Sequence, residues 1–224
     1  MWELSKLASA GYEISGQPLR ALTPRGRSRR LRGVSPSQIF MAKLILLDRD
    51  GVINLDSPRF VKTPEEWQAI PGSLEAIAQL KQSGRRVAVC SNQSGVARGI
   101  VSVDMLKAIE NKMLSELQSY GAELDLVLYC THHPDEQCGC RKPAPGLLEN
   151  AMSMLSIEKA DTCFVGDSLR DIQAAQRAGC QPVLVKTGNG TLTIGQLGER
   201  SSRDFPRVFN DLADYAQTET AQSA

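Results

Sequence analysis

The sequence has no apolar run approaching the roughly 20 residues that cross a bilayer, so a chain that spans a membrane on helices is excluded. No basic start is followed by an apolar h-region, so a secretory signal is excluded as well. Neither charge is in excess: 26 basic and 25 acidic residues leave a formal net charge of +1. Bulk charge therefore gives no reason to expect a nucleic-acid partner. Internal repeats are absent, and so is low-complexity sequence beyond the first forty residues. What is present is ordinary for a folded chain. Over 224 residues, 42% are hydrophobic and 23% are charged, which rules out wholesale disorder. That length suits one domain with a sizeable core.

Residues 1–40 differ from the rest. Seven basic residues against two acidic ones give them +5, so the remainder carries −4 of the net +1. From Ser15 to Ser37 the segment is rich in Gly, Pro, Ser and Arg, and cannot bury enough apolar surface to offset its ordering entropy. It is expected to be a loose basic extension, or an upstream start to a chain whose compact part begins at Met41. A nucleic-acid arm and an organelle-targeting peptide are the competing readings.

Residues 41–224 read as a single domain in which strands and helices alternate. Leu44–Leu47, Val87–Cys90, Leu126–Tyr129, Cys163–Val165 and Pro182–Val185 are short continuous apolar runs, the pattern of strands covered on both faces. Leu74, Ile77 and Leu80 recur at helical spacing, as do Leu106, Ile109, Met113 and Leu117. Residues 145–155 and 168–178 read as two more helices. Thr63-Pro64-Glu65-Glu66 has the form of a capping-box helix start. The alternation predicts an α/β fold, a doubly wound, Rossmann-like parallel sheet with helices on both faces. In such sheets ligands bind beyond the carboxyl ends of the strands. Here those ends read Asp48-Arg49-Asp50-Gly51, Ser91-Asn92-Gln93-Ser94-Gly95, Cys130-Thr131-His132 and Gly166-Asp167-Ser168.

Asp48 and Asp50 are two residues apart and project to one side if the chain stays extended. Asp167 should join them from another strand. Three carboxylates so close repel unless a cation neutralises them, and an oxygen-rich, imidazole-free cluster suits Mg²⁺. Lys142 adds a positive charge and Ser91 a hydroxyl. These parts suit phosphoryl transfer through a carboxylate nucleophile.

Of six cysteines, Cys90, Cys163 and Cys180 lie in or near apolar runs and read as small buried hydrophobes. The other three stand in Cys130-x-His132-x5-Cys138-x-Cys140. Three thiolates and one imidazole, from His132 or its neighbour His133, make a closed zinc set with no position open for chemistry. The site is therefore expected to brace a zinc-binding loop that aims Lys142. Arg141, beside it, is suited to bidentate contact with a second anionic group.

The four motifs Asp48-Arg49-Asp50-Gly51-Val52-Ile53-Asn54, Ser91-Asn92-Gln93-Ser94-Gly95, Arg141-Lys142-Pro143 and Gly166-Asp167-Ser168-Leu169-Arg170-Asp171 resemble, in order, the signature motifs of the haloacid dehalogenase superfamily. The resemblance runs from about Leu44 to Thr187. It is closest to the branch of D-glycero-D-manno-heptose 1,7-bisphosphate 7-phosphatases, which carry a similar Cys-x-His and Cys-x-Cys loop. It implies Asp48 as nucleophile and Asp50 as acid/base. It implies Mg²⁺ on the Asp48 carboxylate, the Asp50 backbone carbonyl and Asp167. Ser91 and Lys142 would hold the phosphoryl group, Asp171 would support them, and His132 would be the zinc imidazole. The stretch from Gly51 to Cys90 is too short for the separate cap domain of many members. Specificity then falls to loops, with Asp56, Arg59, Asn92, Gln93, Ser94 and Arg141 as candidate substrate contacts.

The expectation is a cytoplasmic, monomeric, Mg²⁺-dependent sugar-bisphosphate phosphatase that also carries zinc. The heptose bisphosphates implied by the resemblance feed lipopolysaccharide cores or S-layer sugars. Three alternatives stand beside it: a histidinol-phosphate phosphatase, a nucleic-acid 3′-phosphatase, and, outside the enzymes, a receiver-type signalling domain. The last needs neither an acid/base residue two positions after its phosphorylated Asp nor a zinc loop.

Overall fold

The computed structural model describes residues 12–15, 42–198 and 205–221. Seven strands form one sheet: β1 (Tyr12–Ser15), β2 (Leu44–Leu47), β3 (Arg86–Asn92), β4 (Leu126–Cys130), β5 (Thr162–Gly166), β6 (Gln181–Val185) and β7 (Arg207–Phe209). Their order across the sheet is β1-β4-β3-β2-β5-β6-β7. The six strands from β4 to β7 run parallel. All five apolar runs of the sequence are strands. The chain fills one side of β2 through β3 and β4, then crosses to β5 on the other side. The switch point of the doubly wound sheet thus lies at β2, and its neighbours β3 and β5 carry Ser91 and lead into Asp167.

Side-chain alternation along β2 explains the two helical layers. Ile45 and Leu47 face a core shared with α1 (Ser73–Gln82), α2 (Val103–Ser119) and α6 (Leu212–Ala221). Leu44 and Leu46 face the opposite core, built with α3 (Gly146–Leu155) and α4 (Leu169–Ala178). Cys90, Cys163 and Cys180 are buried in these cores, as their apolar surroundings predicted. Between Gly51 and β3 the chain makes only turns and α1.

Three features depart from the sequence reading. Residues 12–15 are not loose chain: they pair antiparallel with β4, Tyr12 opposite Cys130 and Ser15 opposite Val127, and so cover backbone groups that an edge strand would leave unpaired. The rest of the basic extension lies outside the described residues. Pro64–Glu66 is a single 3₁₀ turn rather than the start of a helix; Thr63 makes no side-chain cap, and Glu66 turns back to accept from the Lys62 amide at 2.9 Å. Finally, α5 (Gly190–Leu197), β7 and α6 had no apolar signature strong enough to be read.

The C-terminal helix is tied to the sheet by a buried carboxylate. Glu219, fully enclosed, accepts from the Ala42 amide at 3.2 Å and from Arg207 at 3.3 Å, with Arg85 3.8 Å away. Arg85 also donates to the Glu219 carbonyl at 2.8 Å. Removing a carboxylate that the buried Arg85 faces is costly, because that cation stays desolvated, whereas Arg207 is partly exposed. Glu219→Ala should therefore lower unfolding stability by about 3 kcal/mol in urea titration. Ala42, Arg85 and Arg207 stand at the amino ends of their strands, away from the carboxyl ends that carry Asp48 and Ser91, so kcat and KM should stay within about twofold.

Candidate active site and metal centre

The carboxyl ends of β2, β3 and β5 open into one cavity of about 240 Å³, lined by Asp48, Asp50, Ser91, Arg141, Lys142 and Asp167 among others. Asp48 follows β2 directly, and its amide donates to the Val165 carbonyl at 2.9 Å, which fixes it against β5. Carboxylate oxygens of Asp48, Asp167 and Asp171 lie within 4.8 Å of one another. Lys142 enters this acidic cluster with its side chain 2% exposed, its Nζ 2.8 Å from Asp48 and 2.7 Å from Asp171. The ammonium also lies 5.0 Å from the centre of the Phe164 ring.

The third carboxylate beside Asp48 and Asp167 is Asp171, not Asp50. The Asp50 side chain is drawn away by donors: Arg49 at 3.0 Å, Asn54 at 2.9 Å and Gln93 at 2.8 Å. The alternation argument failed here because the chain does not stay extended past Asp48. Gly51, at φ +81°, starts a tight turn in which its amide donates to the Asn54 carbonyl at 2.7 Å. Gly51 is required twice over. A Cβ there would run into the Asp167 carboxylate, and so would one at the neighbouring Gly188.

Environment separates the carboxylates electrostatically. Burial lifts Asp48 to about 6, partly opposed by the Lys142 charge. Burial lifts Asp167 to about 7, reinforced by Asp48 and Asp171. Burial also pushes on Asp50, but Arg49 and the amides of Asn54 and Gln93 outweigh it and hold the group below the ordinary carboxylate range. In Asp171 burial is likewise outweighed by Lys142 and Ser168. Lys142 is held protonated, since the two carboxylates outweigh its desolvation.

The elevated pair, Asp48 and Asp167, is what a hard divalent cation would relieve. The all-oxygen donors and their spacing fit Mg²⁺, for which Asp48 and Asp167 would be side-chain ligands. A cation must displace protons that these groups carry below pH 6–7. Mg²⁺ affinity should therefore fall at least about tenfold between pH 8 and pH 5.5. Binding heats at pH 6.5 should vary with buffer ionisation enthalpy. Calorimetry that shows neither effect would contradict this assignment.

The other predicted residues occupy distinct roles. Gln93 and Ser94 are buried at the cavity wall, where Gln93 also donates to Ser91 Oγ at 3.2 Å. Asn92 lines the cavity, but its amide is spent on the backbone of Lys142: Nδ2 donates to the Lys142 carbonyl at 3.0 Å, and Oδ1 accepts from the Lys142 amide at 3.1 Å. Asp56 is at the rim and accepts from Asn189 at 2.9 Å. Arg59 is exposed and does not line the cavity; its amide donates to Ser57 Oγ at 3.3 Å, which turns the loop outward.

Sequence reasoning missed four residues. Asn189 donates to Asp167 from its backbone at 2.7 Å and from its side chain at 3.1 Å. It follows the fifth apolar run, whose polar end Thr187-Gly188-Asn189 was a readable signal. Arg49 and Asn54, both buried, hold Asp50; they lie inside the first motif, where a charged residue between two aspartates could not be oriented. Arg170 lines the cavity from the first turn of α4, a place where a cation works against the helix dipole.

The cysteine loop folds as a closed cluster. Cys140 Sγ is 3.3 Å from both Cys130 and Cys138 and 3.1 Å from His132 Nδ1. Cys130 Sγ is 3.7 Å from Cys138 and 3.6 Å from His132 Nδ1. A tetrahedral zinc with arms of about 2.3 Å to sulfur would need edges of about 3.8 Å, so the donors are close to a zinc shell. The Cys140 thiol is pulled down to about 5, first by the hydrogen bond from Cys130. His133 is elsewhere: its Nδ1 accepts from the Asp135 amide at 3.3 Å and caps a short 3₁₀ turn. The loop is also pinned to α3, because the Gly146 amide donates to the Gly139 carbonyl at 3.1 Å. The purified protein should hold about one zinc per chain, and Cys138→Ser should lose it. Elemental analysis checks the first. A drop in turnover that added Mg²⁺ cannot restore checks the second, since the loop carries Lys142.

Fold and site together define a hydrolase of the haloacid dehalogenase class, and the HAD-hydrolase-like family model matches residues 139–215. The chain is 49% identical over 175 residues to the D-glycero-beta-D-manno-heptose-1,7-bisphosphate 7-phosphatase of Bordetella bronchiseptica, covering 78% of this chain and 96% of that one. It is 46% identical to the protein of the same name from Pseudomonas aeruginosa, over 77% of this chain and 95% of that one. Among solved structures, that of D,D-heptose 1,7-bisphosphate phosphatase from B. bronchiseptica, complexed with magnesium and phosphate, superposes with a TM-score of 0.76 at 48% identity, over 81% of this chain and 99% of that one. The chain belongs to the D-glycero-β-D-manno-heptose-1,7-bisphosphate 7-phosphatase family.

Proposed function

We propose that the chain removes the 7-phosphate of D-glycero-D-manno-heptose 1,7-bisphosphate. Asp48 attacks phosphorus, the bond to the sugar oxygen breaks, and Asp50 gives that oxygen a proton. Asp50 then takes a proton from the water that opens the aspartyl-phosphate, which releases phosphate and restores Asp48. In the free enzyme Asp50 is the carboxylate; the negative phosphoryl group brought beside it favours its protonated form for the first step. Lys142 and Ser91 hold the transferring oxygens, with Asn92 fixing the Lys142 backbone. Asp48 and Asp167 would hold Mg²⁺, which when bound neutralises charge on the phosphoryl oxygens.

One observation carries the substrate assignment. Arg141, next to Lys142 on the zinc-braced loop, lines the cavity with its Nη1 buried and without a hydrogen-bond partner. A buried guanidinium nitrogen left unpaired is costly unless an anion completes it. Arg98 and Arg170 crowd it further: with burial they disfavour its charge, a strain that a second phosphate would relieve. The family names point to a substrate with two phosphates. Lys142 is committed to the one under attack, which leaves Arg141 for the other. The enzyme acts as a monomer on this reading. It works in the cytoplasm, where thiolates stay reduced. No helix among the described residues is long and apolar enough to cross a membrane.

Phosphate release from both heptose bisphosphate anomers, histidinol phosphate and a 3′-phosphorylated oligonucleotide tests the reading, with Asp48→Asn as the inactive control. Heptose bisphosphate should lead in kcat/KM. Arg141→Ala should lower that value roughly 10- to 100-fold, the worth of a charge-assisted hydrogen bond, and barely change turnover of p-nitrophenyl phosphate. An equal fall on both substrates would remove the two-phosphate argument.

A further inference from the structure

Arg49 is among the largest enclosed side chains of the protein, at 1% exposure, and no step of the proposed reaction uses it. Its Nε donates to Asp50 Oδ1 at 3.1 Å. Its Nη2 donates to Asp50 Oδ1 at 3.0 Å and to Gln93 Oε1 at 3.0 Å. The guanidinium lies 5.7 Å from the centre of the Tyr129 ring, within cation–π reach. Gln93 closes the ring: its Nε2 donates to Asp50 Oδ2 at 2.8 Å and to Ser91 Oγ at 3.2 Å.

The direction of these bonds is forced. A guanidinium can only donate, so the oxygen of the Gln93 amide must face Arg49. Its NH₂ group must then face Asp50 and Ser91. Asp50 is thereby held from both sides, and the Ser91 oxygen accepts from Gln93, so its O–H donates on the cavity side, where it meets the Asp48 carboxylate. From this geometry we infer that Arg49 and Gln93 are positioning residues that lock the Asp50 carboxyl and the Ser91 hydroxyl in one hydrogen-bond polarity for proton transfer and phosphoryl binding. The inference rests on the reading of Asp50 as the acid/base.

The readout follows from which step Asp50 serves. The value of kcat/KM covers events up to departure of the leaving group. A good leaving group needs no proton there, whereas a poor one does. The substrates are therefore p-nitrophenyl phosphate and phenyl phosphate, which do not depend on the sugar assignment. The variants are Gln93→Met, which removes both amide donors at similar length, and Arg49→Lys, which keeps the charge and loses the fork. Thermal melting shows that each is folded; if Arg49→Lys is not, Gln93→Met decides. The fall in kcat/KM should be at least about tenfold larger for phenyl phosphate than for p-nitrophenyl phosphate. With p-nitrophenyl phosphate, stopped flow should show a burst of about one nitrophenolate per chain, because hydrolysis of the aspartyl-phosphate also needs Asp50. Equal falls on both substrates without a burst, or no fall at all, would overturn the inference. Asp50→Asn is measured in parallel. If it shows the leaving-group split and Gln93→Met does not, the positioning role alone fails. If Asp50→Asn shows no split, the acid/base reading fails and this inference falls with it.

Discussion

The ammonium of Lys142 between Asp48 and Asp171 is the contact on which the site depends. Three carboxylates packed at the end of a parallel sheet would otherwise repel, and burial would drive them to hold protons. The effect is selective. Asp171, whose ion pair with the lysine is supported by Ser168, is held below the ordinary carboxylate range; Asp167, which has no ion pair among the described residues, is lifted by burial to about 7. Asp48 falls between, which is the state from which a bound metal cation can bring it to its attacking form. One buried cation thus sorts chemically identical groups into different tasks.

Keeping a lysine in that position takes structure, because a desolvated ammonium on four methylenes has every reason to swing to water. Two devices hold its backbone. Asn92, at the end of β3, clamps the Lys142 amide and carbonyl. The cysteine cluster closes two residues earlier, at Cys140, and binds the loop to β4 and α3. The loop has almost no regular secondary structure of its own, so its order comes from the donors that converge on it. The metal centre and the catalytic centre are therefore mechanically one object, although they differ in ligands and in chemistry.

The sheet core was legible because buried parallel strands leave continuous apolar runs, and these residues have no alternative use. The polar ends of three of those runs marked the cavity, which placed Asp48, Ser91 and Asp167 at one edge, while the polar end of β4 marked the cysteine cluster. The rest depends on orientation, which sequence does not carry. That Asp50 turns from its neighbour toward Arg49 follows from the turn at Gly51 and from a guanidinium enclosed between Gln93 and Tyr129. Asn92 looked like a substrate contact because it stands at a strand end, yet its amide is consumed by backbone. Arg59 looked like one because it is charged and near, yet its loop faces outward. The C-terminal elements escaped because α6 is held by Glu219 and Tyr215, a polar and an amphipathic anchor, rather than by an apolar stripe.

Gly51 and Gly188 flank the Asp167 carboxylate with backbone alone. No side chain can be introduced at either position without displacing that group, so this edge of the cavity has no room in which to vary. Any retuning of the protein toward a differently shaped phosphate ester must come from other walls of the cavity, in the segments around Phe60 and Ser94. The cavity thus has one sterically frozen edge, made of backbone, and walls of side chains that are free to drift.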